Sequence, residues 1–533
     1  MDAEDDQKSD KGLVQVSVKI GRCRMDNVYE KIKTIDELNT IVADLKRQGK
    51  KIVHCHGVFD LIHPGHIRHL SAAKKEGDVL VVTITADKFV KRGPGRPIFN
   101  ENLRAETLAA LHSVDFVSVD NNATAVNAIK AIRPDIYVKG QEYEKKEKDV
   151  TGKITDEEEA VKSVGGRIAF TYDITFSSSK LINEHLDVFP PETRQYLQNI
   201  AEKHPVDKIV EQLRSCRKLK ALVIGDAIID QYHYCESMGK SMKEHLVVSK
   251  YLGDESFAGG VFATANNAAQ LCGEVHLVTM LGKQDTFEDF IKGHLQKNVT
   301  HKFFYRDDAP TTVKRRFLYH ILNQKLFEIC YINDCPIGKE LEDQIGKYLE
   351  KVFDDYDLII VSDFGHGLIT EKLVKLITEK AKYLALNVQT NSANTGFNFI
   401  TKYPRADYIV VDEQEIRLAA HDKHSDVKDI MRLMREKLNC NTLMVTRGHK
   451  GTAYVDRGKS IHESPALASK VVDRVGAGDA LFAFTAPLMA IKLPQDLISF
   501  IGNAVGALKV QIVCNRAPVD VVDLMKFVTR LLK

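Results

Sequence analysis

Short apolar runs alternate with segments of helical periodicity along two separate stretches of the chain. The first stretch places such runs at 52–55, 79–85, 116–119, 136–139 and 167–170. The second begins at residue 220 with KALVIG and continues with VHLVTM, LIIVSD, YIVVDE and TLMVT. Buried strands that alternate with helices predict a parallel sheet with ligands at the carboxyl ends of its strands. We therefore predict an α/β protein of two doubly wound domains, residues 26–187 and 220–533.

The segments outside these stretches have different patterns. Residues 1–25 are polar and partly acidic, and we predict a flexible tail there. Apolar positions at helical spacing across 26–49 predict a lead-in helix that packs on the first domain. Residues 188–219 combine three prolines with helical segments, so this stretch is predicted to be an ordered helical connector.

Composition narrows the class of protein and of partner. The 533 residues exceed one ordinary core, and 44% of them are hydrophobic and 28% charged. Lys and Arg number 75 against 73 Asp and Glu, so no global field favours nucleic acid or an acidic membrane. The nine cysteines include no CxxC pair, and neither a signal-peptide pattern nor a run of about 18 apolar residues is present. These features favour a cytoplasmic protein without zinc ribbons or disulfides.

The stretch GVFDLIHPGH, residues 57–66, follows the first apolar run and precedes a helical pattern. Pro64 suits the first turn of a helix, where its missing N–H costs nothing. Free amides and the helix dipole favour phosphate there, and His63 and His66 emerge on the same side. Two imidazoles beside an anion site can neutralise a departing pyrophosphate, which nucleotidyl transfer requires. The alternative is that one histidine caps the helix and the other makes a core contact.

Gly57, Phe59, Asp60, His63 and His66 stand at the spacing of the HxGH motif. The stretch resembles the cytidylyltransferase-like superfamily of nucleotidyltransferases. The resemblance implies a Rossmann-like domain in which the two histidines bind the nucleotide phosphates. It also implies nucleotide binding at Gly57 and Phe59, and it places Asp60 near the nucleotide or its Mg²⁺.

Three further polar clusters follow later strands of the first domain. The first has Lys91 in a Gly/Pro-rich loop and Arg104 at the following helix start. The second has Lys139 at the end of the fourth run, and the third has Ser178 and Ser179 in FSSSK. Serine N-caps and their amides suit phosphate. The alternatives are a solvated surface for the loop cations and plain capping for a serine.

The order of these motifs over residues 50–186 resembles the nucleotidyltransferase half of the bifunctional heptose-phosphate kinase/adenylyltransferase family. The resemblance implies that the three cations clamp charge, with Lys139 among the catalytic residues, and that the two serines bind the γ-phosphate end. One departure is that the acidic residue after Lys-Gly-Gly is shifted, and the charged insert 144–159 follows it. The residues leave the nucleotidyl donor open between ATP and CTP.

The second domain contains glycine-rich turns at its strand ends. ALVIGDAIID begins the domain with Asp226, and Gly259 and Gly260 precede a helical pattern. The string GAGD, residues 476–479, leaves backbone amides bare at a helix start for a transferring phosphoryl group. Its aspartate, Asp479, can take the proton from an attacking hydroxyl. A tight strand-to-helix turn is the alternative for GAGD alone.

These motifs over residues 218–533 resemble the ribokinase (PfkB) family of carbohydrate kinases. The resemblance implies that Asp479 is the base and that Gly476, Ala477 and Gly478 form the anion hole. It also implies sugar contacts from Asp226 or Asp230 and from Gly259 and Gly260, with Lys314 and Arg316 facing the charge of the sugar substrate. It further implies an ATP pocket from Thr446, Gly448, Gly451 and Asn503, and Mg²⁺ held through water by Glu415. Ribokinase-like domains often pair through a lid strand, so a homodimer is expected by resemblance.

The chain departs from that family in four places. Ala263 stands where an Asn would bind sugar, and SMGKSMKEH, residues 237–245, stands where heptose kinases read RISPEAP. Asp412 replaces the Asn of the NxxE element, and NVQTNSANTG, residues 387–396, replaces a DPK-like segment. The order of the two halves is also reversed. We therefore expect ATP chemistry, whereas the identity of the sugar stays open.

Together the patterns favour a bifunctional enzyme of nucleotide-sugar synthesis that uses ATP, Mg²⁺, and ATP or CTP as nucleotidyl donor. One half phosphorylates a sugar or sugar phosphate, and the other transfers a nucleotidyl group to a sugar 1-phosphate, with a heptose-like substrate favoured. A second hypothesis is a cytidylyltransferase for glycerol- or ethanolamine-type phosphates. In a third, the kinase-like half is a ligand-binding or dimerisation module. The expected partners are sugar phosphates, nucleotides and a second copy of the chain, and neither nucleic acid nor a membrane.

Overall fold

The computed structural model describes residues 26–90, 97–141, 153–171, 189–321, 324–458 and 460–532. They divide into two compact units, the first built on the strands up to residue 171 and the second on those beyond residue 189. The predicted tail at 1–25 and the candidates Lys91, Ser178 and Ser179 lie outside the described residues. Within the described residues, every helix is too short or too polar to cross a membrane.

The first unit is a five-stranded sheet with helices between its strands. Its elements are α1 (Asp26–Tyr29), α2 (Ile35–Arg47), β1 (Ile52–Gly57), α3 (Pro64–Lys74), β2 (Val79–Thr85), α4 (Glu101–Ala109), β3 (Phe116–Asp120), α5 (Val126–Ile132), β4 (Ile136–Gly140), α6 (Lys153–Ser163) and β5 (Arg167–Thr171). The strand order is β3-β2-β1-β4-β5, and every neighbouring pair is parallel. The five strands predicted from the apolar runs are confirmed.

The single lead-in helix predicted across 26–49 is wrong. Two helices are present, α1 and α2, and between them Ile32 forms a parallel bridge with Val117 at the edge of the sheet. Two backbone hydrogen bonds of 2.9 Å flank this bridge. Thr34 then starts α2 with a capping box to Glu37. The open edge of β3 thus pairs with residues whose spacing also suits a helix.

The sheet of the first unit is covered on both faces. β2 is buried along its whole length, which is typical of a parallel strand between two layers of helices. Leu38 and Val42, one turn apart on α2, are buried against the sheet. The carboxyl ends of the strands therefore meet at one edge of a well-packed scaffold.

Two helices precede the first strand of the second unit, α7 (Pro191–Lys203) and α8 (Val206–Ser215). The Tyr196 hydroxyl on α7 donates to Ser464 Oγ at 3.0 Å, and His204 Nε2 lies 3.2 Å from an oxygen of Asp496. Helices thus form in the connector predicted at 188–219, and they pack on the second unit.

The second unit contains a large sheet and a small one. Its elements are β6 (Lys220–Gly225), β7 (Ala227–Lys240), β8 (Val247–Gly260), α9 (Val261–Ala268), β9 (Glu274–Gln284), α10 (Glu288–His294), β10 (Val299–Pro310), β11 (Thr312–Tyr319), β12 (Gln324–Tyr331), α11 (Lys339–Val352), β13 (Leu358–Asp363), α12 (Glu371–Lys380), β14 (Leu384–Val388), β15 (Ala406–Asp412), α13 (Glu413–Ala420), α14 (Val427–Lys437), β16 (Cys440–Thr446), β17 (Thr452–Val455), β18 (Ile461–Ser464), α15 (Ala477–Ala490), α16 (Gln495–Lys509) and α17 (Val521–Leu531). The large sheet has the order β10-β9-β6-β13-β14-β15-β16-β17-β18 and is parallel from β10 to β16. The last two pairings are antiparallel.

The small sheet, which we call the lid sheet, has the order β12-β11-β7-β8. β7 begins two residues after β6 ends; its first six residues are buried and its last five exposed. β8 returns antiparallel and places Gly260 opposite Ala227 and Gly259 opposite Ile228. The inner half of the lid sheet therefore lies at the carboxyl end of β6, and its outer half projects into solvent.

Replacing Thr34 by alanine removes the N-cap of α2, where the hydroxyl oxygen accepts the Glu37 amide at 3.2 Å. Caps of this kind contribute about 1 kcal/mol, so we expect the amides of α2 to exchange with deuterium about five times faster. Hydrogen exchange of the full chain, read by mass spectrometry, measures this. Thr40→Ala, on the exposed face of the same helix, is the control and leaves the exchange unchanged. Native exchange in Thr34→Ala would contradict the capping role.

Candidate active sites

The first candidate site forms where β1 ends. β1 and β4 are neighbours, with Cys55 opposite Val138, so Gly57 and Lys139 both lie at the carboxyl edge. The strand order switches direction between these two strands, which is where open α/β sheets bind ligands. The chain then turns sharply: Phe59 has a φ of 48°, and a Cβ on Gly57 would lie 2.9 Å from the Phe59 ring. Glycine at 57 thus makes room for the turn into α3.

His63 and His66 lie together at the start of α3. Their rings stack with centroids 3.9 Å apart. Nδ1 of His63 accepts the Gly65 amide at 3.1 Å, which makes His63 the N-cap and assigns its ring proton to Nε2. Burial lowers the pKa of His63, so its imidazole is neutral near pH 7. The alternative that one histidine caps the helix is thus confirmed for Nδ1 of His63. Phosphate binding by the two rings stays a prediction.

Asp60 lies in the same turn and is buried. Its Oδ1 accepts the amides of Ile98 and Phe99 at 2.7 and 3.2 Å. Its Oδ2 is buried and has no hydrogen-bond partner among the residues that the structure describes. Because a buried carboxylate oxygen without a partner is costly, this atom suits a donor or a cation such as Mg²⁺.

Arg104, predicted to clamp charge, is only 1% exposed. Its guanidinium donates to the carbonyl oxygens of Val58, Thr85 and Phe99 at 2.6 to 3.0 Å, and to Asp87 at 2.6 Å. These bonds tie the turn after β1 to the end of β2 and the start of α4. In this conformation Arg104 holds the backbone around the site in place. Its contact with a phosphate stays a prediction.

Lys139 lies in a buried polar cluster at the end of β4. Its Nζ forms an ion pair of 2.8 Å with Glu157 of α6, and the Tyr137 hydroxyl donates to the same carboxylate at 3.2 Å. All three side chains are largely buried. Sequence reasoning missed Glu157, because the charge of the insert at 144–159 is equally typical of a solvated surface. The pairing makes Glu157 a positioning residue for Lys139.

The second candidate site forms where α15 begins. Gly476 has a φ of 75° at the N-cap, and a Cβ there would lie 2.3 Å from Oδ1 of Asn515, so only glycine fits. The Ala477 amide donates to the carbonyl oxygen of Arg474 at 3.2 Å. Gly478 supplies an amide of the first turn, which has no partner within the helix. The Cβ position of Gly478 faces open space. The helix start is therefore an open cradle for an anion.

Asp479 lies in the first turn of α15 and is 7% exposed. Burial raises its pKa to about 6, partly offset by a hydrogen bond that Gln389 donates to Oδ1. Asp230 raises the pKa further, and Lys509 and Lys314 lower it. The carboxylate is thus ionised near pH 7 and is a stronger base than an exposed aspartate.

Asp230 and Arg316, both predicted to contact sugar, pair with each other in the lid sheet. Arg316 donates to Oδ1 of Asp230 and forms a second ion pair of 2.7 Å with Glu328. Oδ2 of Asp230 accepts the Asn515 amide nitrogen at 3.3 Å. A Cβ on Gly259 would lie 2.0 Å from that oxygen, so glycine at 259 makes room for the carboxylate.

Asp226 holds the loop that follows β13. Its Oδ2 accepts the amides of Phe364 and His366 at 2.8 and 3.3 Å, and its Oδ1 is buried with no partner in the described part of the chain. Burial and the neighbouring Asp363 raise the pKa of Asp226 to about 6. A pocket of about 300 Å³, counted with its open mouth, lies beside Asp226 and His366. Its other polar lining residues are Arg306, Thr311, Thr312 and Asn333.

Gly260 and Lys314 border the same region. Gly260 has a φ of 54°, and a Cβ there would lie 2.7 Å from the Asp226 carbonyl oxygen. Nζ of Lys314 lies 5.8 Å from the centroid of the Phe364 ring. Burial and the Lys314 charge lower the pKa of His366 to about 3, and the same charge offsets part of the rise in the pKa of Asp479. The charge of Lys314 therefore acts both on His366, which lines the pocket, and on Asp479, the predicted base.

The residues predicted for ATP lie on β16, the following turn and α16. Thr446 ends β16, and Gly448 and Gly451 have φ values of 58° and 84° in the turn to β17. A Cβ on Gly451 would lie 2.0 Å from the carbonyl oxygen of Ser464, at the end of β18. Asn503 donates to Thr452 Oγ1 at 2.8 Å. The glycines are required by the turn itself, and the contacts with ATP stay predictions.

Glu415 is predicted to hold Mg²⁺ through water. Its Oε1 accepts the Thr390 amide at 3.0 Å, and its Oε2 accepts the Asp412 amide at 2.8 Å in a capping box at the start of α13. Burial raises the pKa of Glu415 to about 7. Each oxygen keeps a second lone pair, so the carboxylate fits a water ligand of Mg²⁺ without loss of the cap.

Residues 218–518 match the family model described as pfkB family carbohydrate kinase, which is more than half of the chain. The chain belongs to this family. Residues 54–185 match a second model, described as Cytidylyltransferase-like. The first unit is thus a cytidylyltransferase-like domain, and the second contains the pfkB domain.

Two curated relatives match the cytidylyltransferase-like part. The bifunctional protein HldE of Aliarcobacter butzleri is 44% identical over 144 residues, which is 26% of this chain and 30% of the relative. The bifunctional protein HldE of Desulfatibacillum aliphaticivorans is 40% identical over 157 residues, 29% of this chain and 31% of the relative. The chain thus spans less than a third of the length of these relatives.

Solved kinases are similar to the pfkB part. Ribokinase of Arabidopsis thaliana complexed with ribose and ATP is 17% identical, with a TM-score of 0.44 over 59% of this chain and 99% of its own. Phosphofructokinase-2 from Escherichia coli in complex with substrates and products is 13% identical, with a TM-score of 0.48 over 59% of this chain and 100% of its own. Membership of the pfkB family rests on the family model and not on these likenesses.

Sequence reasoning missed three polar residues of the pfkB site. Gln389, which bonds Asp479, directly follows β14, and its place after a strand is a signal that was available. Lys509, at the end of α16, and Asn515, in the turn beyond it, both lie close to the Cβ position of Gly476. Nothing in their local sequence marks them, because only the packing of α16 on α15 brings them there.

The pKa of Asp479 predicts an acidic limit for the pfkB kinase. A base must be ionised to take a proton, so we expect kcat/KM for phosphoryl transfer to fall as the pH drops through about 6. Gln389→Ala removes a bond to the carboxylate and shifts this limit to higher pH. Rates of ATP consumption across the pH range measure both. A native limit near the ordinary aspartate value of 3.8 would contradict the buried base.

Proposed function

We propose that the chain is a bifunctional enzyme of nucleotide-sugar synthesis. Its pfkB domain phosphorylates a sugar or sugar phosphate with ATP. Its cytidylyltransferase-like domain transfers a nucleotidyl group from ATP or CTP to a sugar 1-phosphate and releases pyrophosphate, with a heptose-like sugar favoured by the resemblance of its motifs. The observation that carries the proposal is the buried base Asp479 beside the glycine cradle at 476–478. Both reactions use nucleoside triphosphates, and we place them in the cytoplasm.

In the pfkB domain, the attacking sugar hydroxyl gives its proton to Asp479 as its oxygen bonds to the γ-phosphorus of ATP and ADP leaves. The amides of the 476–478 cradle donate to the phosphoryl oxygens while charge develops on them. Oδ1 of Asp226 accepts another sugar hydroxyl, and Lys314 supplies positive charge nearby. Mg²⁺, when bound, neutralises phosphate oxygens, and Glu415 is the residue that holds one of its waters.

In the cytidylyltransferase-like domain, a phosphate oxygen of the sugar 1-phosphate bonds to the α-phosphorus of the triphosphate, and pyrophosphate leaves. His63 and His66 donate to the departing oxygens, because a neutral imidazole retains one N–H. Lys139 adds positive charge, oriented by Glu157. Oδ2 of Asp60 is the atom available to a metal ion that accompanies the nucleotide. No covalent intermediate with the protein is required.

Single substitutions are expected to separate the two activities. Losing one preorganised group typically costs about 10²–10³ in rate. His66→Ala therefore lowers the rate of nucleotidyl transfer about 10²–10³-fold and leaves the kinase intact, and Asp479→Asn does the reverse. Mass spectrometry of products from nucleoside triphosphates and candidate sugar phosphates measures both reactions in each variant. Loss of both activities in either variant would contradict two separate sites.

The same assay distinguishes the other two hypotheses. Faster transfer to glycerol phosphate or ethanolamine phosphate than to any sugar 1-phosphate would favour the small-alcohol cytidylyltransferase. A pfkB domain that binds ATP but consumes none with any sugar would favour a ligand-binding module.

We further propose that two chains pair through their lid sheets. Large apolar side chains on its strands are 42 to 67% exposed; they are Met238, Val247, Tyr251, Leu252, Leu326, Phe327 and Ile329. Monomers rarely leave so many large apolar groups of one small sheet in water, since covering them lowers the free energy. A second lid sheet offers a matching apolar surface.

A charge placed in this surface is expected to separate the chains. We expect the native protein to have twice the mass of one chain by light scattering, and Phe327→Lys to have the mass of one. Leu433→Lys is the control, because Leu433 is 61% exposed on α14, outside the lid sheet, and its replacement leaves the dimer intact. A native protein with the mass of one chain would contradict the pairing.

A further inference from the structure

The last residue of α16, Lys509, is fully buried. Its Nζ donates to the carbonyl oxygen of Val475 at 3.1 Å and to that of Cys514. Burial lowers the pKa of Lys509, and nearby acidic groups, Asp473 and Asp479 among them, act in the opposite direction. Removing an ammonium group from water costs several kcal/mol, so an apolar residue at this position would be less costly. The kinase steps derived above do not use this side chain.

Asp473 holds the same two residues by their amides. Its Oδ1 accepts the Val475 amide at 3.2 Å, and its Oδ2 accepts the Cys514 amide at 2.9 Å. It also receives the Tyr232 hydroxyl and the Lys325 ammonium, both at 2.6 Å, from the lid sheet. Each of the two residues is therefore held through its N–H by a carboxylate and through its carbonyl oxygen by the buried ammonium.

Val475 and Cys514 directly precede two residues of the candidate kinase site. Val475 precedes Gly476, and Cys514, with a φ of 42°, precedes Asn515. A Cβ on Gly476 would lie 3.3 Å from Cε of Lys509 and 2.3 Å from Oδ1 of Asn515. The lysine thus packs directly behind the anion cradle, on the side away from the open space.

We propose that Lys509 is a positioning residue for phosphoryl transfer, whose ammonium group acts as a built-in monovalent cation between the carbonyl oxygens of Val475 and Cys514. Two carbonyl oxygens directed at one point repel each other unless a cation or donor lies between them. With the ammonium in place, the turn before Gly476 keeps one conformation, and the cradle amides keep their direction. This inference rests on the proposed kinase function.

Lys509→Met tests the proposal in the full chain. We expect kcat for phosphoryl transfer to fall about 10²-fold, the cost of one misplaced donor, with KM for ATP nearly unchanged. Ammonium or potassium chloride restores most of the activity, because either ion fits between the two carbonyl oxygens, whereas tetramethylammonium is too large to do so. Lys437→Met is the matched control, since Lys437 ends α14 but is exposed, and it leaves kcat unchanged.

The native enzyme provides an independent measurement. Its own ammonium already occupies the position, so replacing potassium by tetramethylammonium leaves the native kcat unchanged. This comparison can refute the proposal even when Lys509→Met does not fold. Stimulation of the native kinase by potassium, a native kcat in Lys509→Met, or a loss that no small cation restores would each overturn the proposal.

Thermal unfolding separates this proposal from the kinase function. We expect potassium to raise the Tm of Lys509→Met and not that of the native chain, and this measurement needs no turnover. A native chain that phosphorylates no sugar, with a variant that potassium stabilises, would refute the kinase function and leave the cation position standing. Equal responses of Tm in the two chains would refute the cation position.

Discussion

Buried charge at the carboxyl ends of parallel strands is the constraint on which both units depend. A carboxylate, ammonium or guanidinium group in such a place must be paired with protein groups or with a ligand, because water is excluded. Arg104 meets this requirement with four hydrogen bonds inside the first unit. Asp60 and Asp226 each satisfy one oxygen with backbone amides and leave the other without a partner in the described residues. The candidate sites therefore lie where a buried carboxylate has one oxygen without a hydrogen-bond partner in the described residues.

The same burial has opposite chemical consequences in the two units. It lowers the pKa of His63, which leaves a neutral ring with one N–H to donate. It raises the pKa of Asp479 to about 6, which leaves an ionised carboxylate that is a better proton acceptor than an exposed one. In the proposed reactions, the first unit would thus offer donors to a leaving group, and the second a base to an attacking hydroxyl.

The lid sheet is joined to the segments beside the glycine turn at 476–478 by charge and not only by apolar packing. Asp473 receives Tyr232 and Lys325 from lid strands and, at the same time, the amides of Val475 and Cys514 next to the cradle. Arg316 and Asp230 form a second link, since Asp230 also accepts Asn515. A movement of the lid sheet would therefore displace the residues that line the candidate kinase site.

The amino-acid sequence alone determined the strands of the first unit, the turn at 57–66 and the GAGD turn at 476–479, because local apolar periodicity and glycine placement act over a few residues. It did not determine the partners of long polar side chains. Arg104 bonds to Val58, 46 residues away, and Lys509 to Val475, 34 residues away. The break in the helix predicted at 26–49 has the same origin, since the edge of β3 supplies the partner of Ile32. Only the tertiary structure decided these pairings, because a buried charge or an open strand edge takes whichever partner the packed sheets bring within reach.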